Sequence, residues 1–85
     1  MENQPLADAR RSINNAYNAV TNLEETMGSK GAMNSARNAM KQARRALQQI
    51  ENQVEQSEIE EMRNEMDSLQ ARFESAQESS GNFVN

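Results

Sequence analysis

Residues 33–54 read MNSARNAMKQARRALQQIENQV, and their apolar side chains recur at alternating intervals of three and four residues. The positions that keep this rhythm are Met33, Ala36, Met40, Ala43, Leu47, Ile50 and Val54. An average interval of 3.5 residues places all seven along one side of an α-helix, as in coiled-coil packing. The stretch therefore predicts an amphipathic helix whose apolar stripe needs a partner surface.

Two flanking stretches repeat the pattern. The earlier one contains Leu6, Ala9, Ile13, Ala16, Val20, Leu23 and Met27, and the later one contains Ile59, Met62, Met66, Leu69, Phe73 and Ala76. Three stripes of similar length can cover one another when their helices lie side by side. The sequence therefore predicts an all-α protein with these side chains in its core, including most of its methionines.

The first break between helices is marked by glycine. Residues 28–31 read GSKG, and Gly28 can adopt the left-handed conformation that ends a helix. Pro5 suits the first turn of a helix because its missing N–H is not needed there. We therefore expect the first helix to span about residues 5–27.

The second break carries neither glycine nor proline. The step from Val54 to Ile59 is five residues, which would swing the stripe of a continuous helix by roughly a quarter turn. Ser57 and Glu60 also have the spacing of a capping box, so Ser57 is predicted to cap a third helix. The alternative is one uninterrupted helix, which would make a long helical hairpin that dimerises.

With both breaks, the predicted fold is an up-down-up antiparallel three-helix bundle. Its helices are expected at about residues 5–27, 32–56 and 58–79, within a single domain spanning residues 1–85. Residues 80–85 are expected to form a frayed tail.

Composition restricts the chemistry. The 85 residues include no histidine and no cysteine, so the commonest general base and the thiol nucleophile are both missing. We therefore expect no enzyme activity, no cofactor and no metal site. No secretory signal or membrane-spanning stretch is recognisable, and the absence of cysteine suits a reducing compartment, so a cytoplasmic protein is expected.

Charge is unevenly distributed along the chain, although the net charge is only −4. Four basic residues share one face of the second predicted helix: Arg37, Lys41, Arg44 and Arg45. This face is a candidate site for a protein partner or a nucleic acid. The alternative is that these side chains pair across the bundle with Glu74 and Glu78. The carboxylates of the third helix (Glu58, Glu61, Glu65 and Asp67) are expected to form a solvated face.

These features favour a non-enzymatic helical module for protein–protein interaction, such as a small adaptor, regulator or assembly component. Its partner is expected to be a protein, and the chain itself a monomer or a homodimer without membrane contact. A nucleic-acid-associated protein that uses the basic face of the second helix is one alternative. A purely structural helical hairpin that dimerises is another.

Overall fold

The computed structural model describes residues 4–83, with side chains described for residues 4–78. It contains three helices: α1 (Gln4–Glu25), α2 (Lys30–Ile50) and α3 (Gln56–Phe83). Each helix packs against both others, so the predicted three-helix bundle is confirmed. The described part measures 51 × 18 × 16 Å.

Contacts between α1 and α3 give the direction of each helix. Arg10 in the first half of α1 lies 3.9 Å from Glu58 near the start of α3, and Glu24 near the end of α1 binds Arg72 in the second half of α3. Parallel α1 and α3 require α2 to run in the opposite direction between them. The topology is therefore up-down-up, and the predicted alternative of a long two-helix hairpin is wrong.

The core consists of the three predicted apolar stripes. The buried side chains are Ala9, Ile13, Ala16, Val20, Leu23, Ala32, Ala36, Met40, Ala43, Leu47, Ile50, Ile59, Met62, Met66, Leu69 and Phe73. Only Ala32 is absent from the predicted set, and it is more deeply buried than the neighbouring Met33. The alternating three- and four-residue spacing therefore identified the buried face of every helix.

Residue size differs among the three stripes. Alanine occupies many core positions of α1 and α2, including Ala9, Ala16, Ala36 and Ala43, all of which are fully buried. The α3 stripe instead supplies large side chains such as Met62 and Phe73. Small residues let α1 and α2 approach closely, and the larger side chains of α3 fill the groove between them.

Helix α1 ends in two residues with left-handed backbone conformation. The first of them is Met27, not Gly28 as predicted. Met27 has φ 58° and Gly28 has φ 80°. The Gly28 N–H donates to the Leu23 carbonyl at 3.0 Å, and the Met27 N–H donates to the Glu24 carbonyl at 3.2 Å, which together form a Schellman motif. The predicted core position of Met27 is wrong, because this motif leaves the side chain 74% exposed.

Helix α2 begins at Lys30, earlier than predicted, because Ser29 caps it. The Ser29 side chain accepts a hydrogen bond from the Ala32 N–H at 3.3 Å. An N-cap of this kind satisfies one of the N–H groups that a helix leaves unpaired in its first turn.

The second break exists, but it lies earlier than predicted. Helix α2 ends at Ile50, not at residue 56, and the turn that follows it includes Val54, which is half-buried. Breaking the helix lets Ile50 and Ile59 both be buried, whereas an uninterrupted helix would turn one of them outward. The break therefore follows from the change of phase in the apolar stripe.

The predicted cap of α3 at Ser57 is wrong. The Glu55 carbonyl accepts hydrogen bonds from the N–H groups of Glu58 and Ile59, at 3.1 and 3.2 Å. Helix α3 therefore starts at Gln56, and Ser57 lies inside its first turn rather than at its N-cap.

At its other end, α3 continues to Phe83, so the predicted helix end at residue 79 is wrong. Residues 84–85 of the predicted tail lie outside the described residues. Within residues 4–83, none of the helices has an apolar stretch long enough to span a membrane.

Candidate functional site

The basic face of α2 consists of Arg37, Lys41, Arg44 and Arg45, the four residues proposed from the sequence. All four side chains are exposed. They recur at intervals of four, three and one residue on a continuous helix, so they share one sector of its surface. The fold therefore brings the predicted site residues together, although nothing in their contacts identifies a ligand.

Two of these cations interact with α3. The Arg37 guanidinium lies over the Phe73 ring, 5.9 Å from its centroid. The Arg44 guanidinium donates a hydrogen bond to the Gln70 side-chain oxygen. Both contacts hold the cations at the junction of α2 and α3 without neutralising their charge.

The predicted pairing of this face with Glu74 and Glu78 is not observed. Among the described side chains, the ion pairs involve other arginines: Arg10, Arg11, Arg63 and Arg72. Glu74 instead accepts a hydrogen bond from the Gln70 amide at 3.3 Å. The four cations of the basic face therefore have no carboxylate partner within the described part of the chain.

Helix α3 carries a row of acidic residues beside the basic face. Glu60, Asp67 and Glu74 lie at intervals of seven residues and are exposed. Neighbouring side chains show which way this row faces, since Arg63 binds Glu51 beyond the end of α2 and Gln70 binds Arg44. The acidic row of α3 and the basic face of α2 therefore lie on the same outer surface of the bundle, one on each side of the line where α2 and α3 meet.

Of the four carboxylates expected to form a solvated face, Glu61, Glu65 and Asp67 are exposed, and Glu58 is half-buried beside Arg10. They do not share one face, because Glu61 and Glu65 line a groove between α1 and α3 whereas Asp67 belongs to the acidic row. No group of three or more carboxylates within the described residues is arranged to hold a metal ion.

The groove between α1 and α3 is a feature that the sequence did not indicate. It encloses about 920 Å³ and is open to solvent, with Ile13 and Leu69 at its floor. Its α1 wall includes Arg10 and Arg11. Such a groove follows from the way α3 packs on α1, a long-range relationship for which the apolar spacing carries no signal.

Arg72 organises one end of this groove. Its guanidinium donates to the Glu24 carboxylate and, at 3.2 Å, to the Thr21 hydroxyl, and it lies 5.0 Å from the centroid of the Tyr17 ring. The Arg72 hydrogen bond holds the pKa of the Glu24 carboxyl below its ordinary value, although partial burial opposes that shift. The contacts of this cluster lie within the protein, which indicates a role in joining α3 to α1.

No protein-family model, curated protein or solved structure matches this chain.

Proposed function

We propose that the protein is a non-enzymatic protein–protein interaction module whose basic face on α2 binds an acidic segment of a partner protein. The observation that carries this proposal is the exposure of Arg37, Lys41, Arg44 and Arg45 without a carboxylate partner among the described side chains. Unpaired cations concentrated on one face attract a complementary surface and orient it during association.

The charge of α2 supports this choice of site. Over its 21 residues, α2 contains five basic residues and no acidic one, whereas the whole chain has a net charge of −4. A positive helix on a negative protein gives a partner a single favourable direction of approach, because other faces repel an acidic segment.

The positions of the aromatic side chains favour an acidic protein over a single-stranded nucleic acid. Proteins that bind single-stranded nucleic acid offer exposed aromatic rings for base stacking. Phe73 is buried beneath Arg37, and Tyr17 lies at the α1/α3 groove, so neither provides a platform on the basic face.

The non-enzymatic part of the proposal rests on side-chain chemistry. The sequence has no histidine or cysteine, and the strongest polar cluster, around Arg72, is engaged in contacts within the fold. We also propose a cytoplasmic location, since a chain without cysteine suits a reducing compartment.

The proposal can be tested by fluorescence anisotropy with labelled poly-glutamate as the acidic protein probe. Wild type should bind at low salt, and Lys41→Gln/Arg45→Gln should weaken binding about tenfold, or about 1.4 kcal/mol. Among the described residues, these two side chains make no hydrogen bond, ion pair or ring contact, so the fold should be unaffected. The matched control is Arg10→Gln/Arg11→Gln on α1, which changes the net charge equally and should bind like wild type.

Two results would overturn the proposal. Equal weakening by both double variants would show that binding follows net charge rather than the basic face. Tighter binding of a DNA duplex than of poly-glutamate, lost in Lys41→Gln/Arg45→Gln, would instead assign the face to nucleic acid.

A further inference from the structure

The basic face of α2 and the acidic row of α3 have matching periodicity. Arg37 and Arg44 of the basic face are seven residues apart on α2, and the acidic row has the same spacing on α3. A seven-residue interval is about 10.5 Å on an α-helix, so both rows repeat their charges at the same distance. Both rows are exposed.

The two rows lie side by side on one face of the bundle. Arg44 binds Gln70 and Arg37 lies over Phe73, so these segments of the antiparallel helices are at the same height. Arg44 and Arg45 are consequently at about the level of Asp67. The segment from Arg37 to Lys41 is at about the level of Glu74.

We propose that a second copy of this chain binds this face, with the basic face of each copy against the acidic row of the other. A twofold axis parallel to the bundle, lying in the contact plane, places α2 of one copy over α3 of the other at the same height. The charges then face their opposites in both halves of the symmetric contact. A twofold axis across the bundle would put like charges together, which excludes that arrangement.

This inference rests on the proposed function, because it names the acidic partner of the basic face.

The size of the face limits how strongly two copies can bind. The face is at most 18 Å wide and α2 is about 30 Å long, which offers roughly 500 Å² per copy, below the 800 Å² or so of a typical stable interface. With charged and polar residues along both rows, self-association should be weak and sensitive to salt.

Sedimentation velocity on the wild-type chain provides the first test. At about 0.5 mM protein and low salt, we expect a dimer fraction that disappears near 0.5 M NaCl, where the Debye length falls to a few ångströms. A chain that stays monomeric at all salt concentrations up to about 1 mM protein would overturn the inference, and so would a dimer that persists in high salt.

Charge exchange provides the second test. Asp67→Lys/Glu74→Lys leaves Glu60 as the one acidic residue of the acidic row, so basic charges face basic charges at the levels of residues 67 and 74. Lys41→Glu/Arg45→Glu puts acidic charges opposite Asp67 and Glu74, although Arg37 and Arg44 stay basic. Each variant alone should be monomeric because the facing charges repel, whereas an equimolar mixture should form a 1:1 heterodimer at low salt. Circular dichroism of each variant checks that it is folded, and all four positions are exposed.

A mixture that stays monomeric, or a single variant that dimerises like wild type, would contradict the arrangement. These outcomes are distinct from failure of the proposed function. If wild type is monomeric but still binds poly-glutamate through Lys41 and Arg45, only self-association is wrong and the basic face keeps its proposed role.

Discussion

The Arg72 guanidinium donates two hydrogen bonds to the Glu24 carboxylate, from Nη2 to Oε1 at 2.5 Å and from Nε to Oε2 at 3.1 Å. This two-point contact joins α3 to the last turn of α1, where a carboxylate alone would oppose the helix dipole. The Arg72 hydrogen bonds lower the pKa of Glu24, and the bond to Glu24 is also the main cause of the raised pKa of Arg72.

The lowered pKa predicts a pH-dependent contribution to stability. Near pH 7, Glu24→Gln should reduce the free energy of unfolding by up to about 1 kcal/mol, a small value because both side chains are partly exposed. Above the ordinary glutamate pKa of about 4.3, Glu24 is charged in the folded and unfolded chains, and the contribution is complete. As the pH falls through the lower pKa of the folded chain, protonation removes it.

Urea denaturation at pH 7 and at about pH 3 measures this difference. The control is Glu25→Gln, which removes a neighbouring charge from the same turn of α1 and should not lower stability. A difference between wild type and Glu24→Gln that stays constant across this pH range would contradict the assigned role of Arg72.

Replacing Met27 with glycine should stabilise the protein. Its φ of 58° is unfavourable for a residue with a Cβ atom, and its exposed side chain contributes little to the core. We expect Met27→Gly to raise the free energy of unfolding by about 0.5–1 kcal/mol, since the relief of strain exceeds the added entropy of the unfolded chain. Met27→Ala removes the same side chain but keeps the strain, so thermal melting should show no comparable gain for it.

The two turn serines should respond differently to substitution. Ser29→Ala removes the acceptor for the Ala32 N–H and should cost about 1 kcal/mol. Ser57→Ala should change stability by less than about 0.5 kcal/mol, because Ser57 is exposed inside the first turn of α3. If chemical denaturation gives the same loss of unfolding free energy for both variants, Ser57 does act as a helix cap.

Leu69 tests the core directly. It is 3% exposed, so Leu69→Asp buries a charge without a partner and should prevent cooperative folding. Ala71→Asp adds the same charge at an exposed position of the same helix and should retain helicity and a cooperative transition. Circular dichroism that shows a folded Leu69→Asp protein would be incompatible with the assigned core.

Local patterns predicted the core well because burial of one helix face needs only the right spacing. The same reasoning failed for Met27, since hydrogen bonding at a helix end overrode the preference of its side chain for the interior. It also missed the end of α2 at Ile50, where the turn contains no glycine or proline. The change of phase between Val54 and Ile59 indicated a break, but not its first residue.

Sequence spacing also placed the basic face on one side of α2, because that grouping needs only one helix. It did not reveal which side chains of α3 lie beside that face. The contacts of Arg37 with Phe73 and of Arg72 with Glu24 depend on how the helices pack, and residues far apart in the chain carry no local signal for them.

The bundle, and with it the proposed self-association, depends on α3 folding back beside α2. Because the chain has no cysteine, spin labels can be attached selectively at Asn34→Cys and Gln77→Cys, both exposed positions near one end of the bundle. Pulsed electron paramagnetic resonance should give a distance below about 30 Å between the two spin labels. The axes of neighbouring helices are about 10 Å apart, and the label side chains add the rest. A distance of about 65 Å, as expected if residues 34–77 formed one uninterrupted helix, would contradict the three-helix bundle.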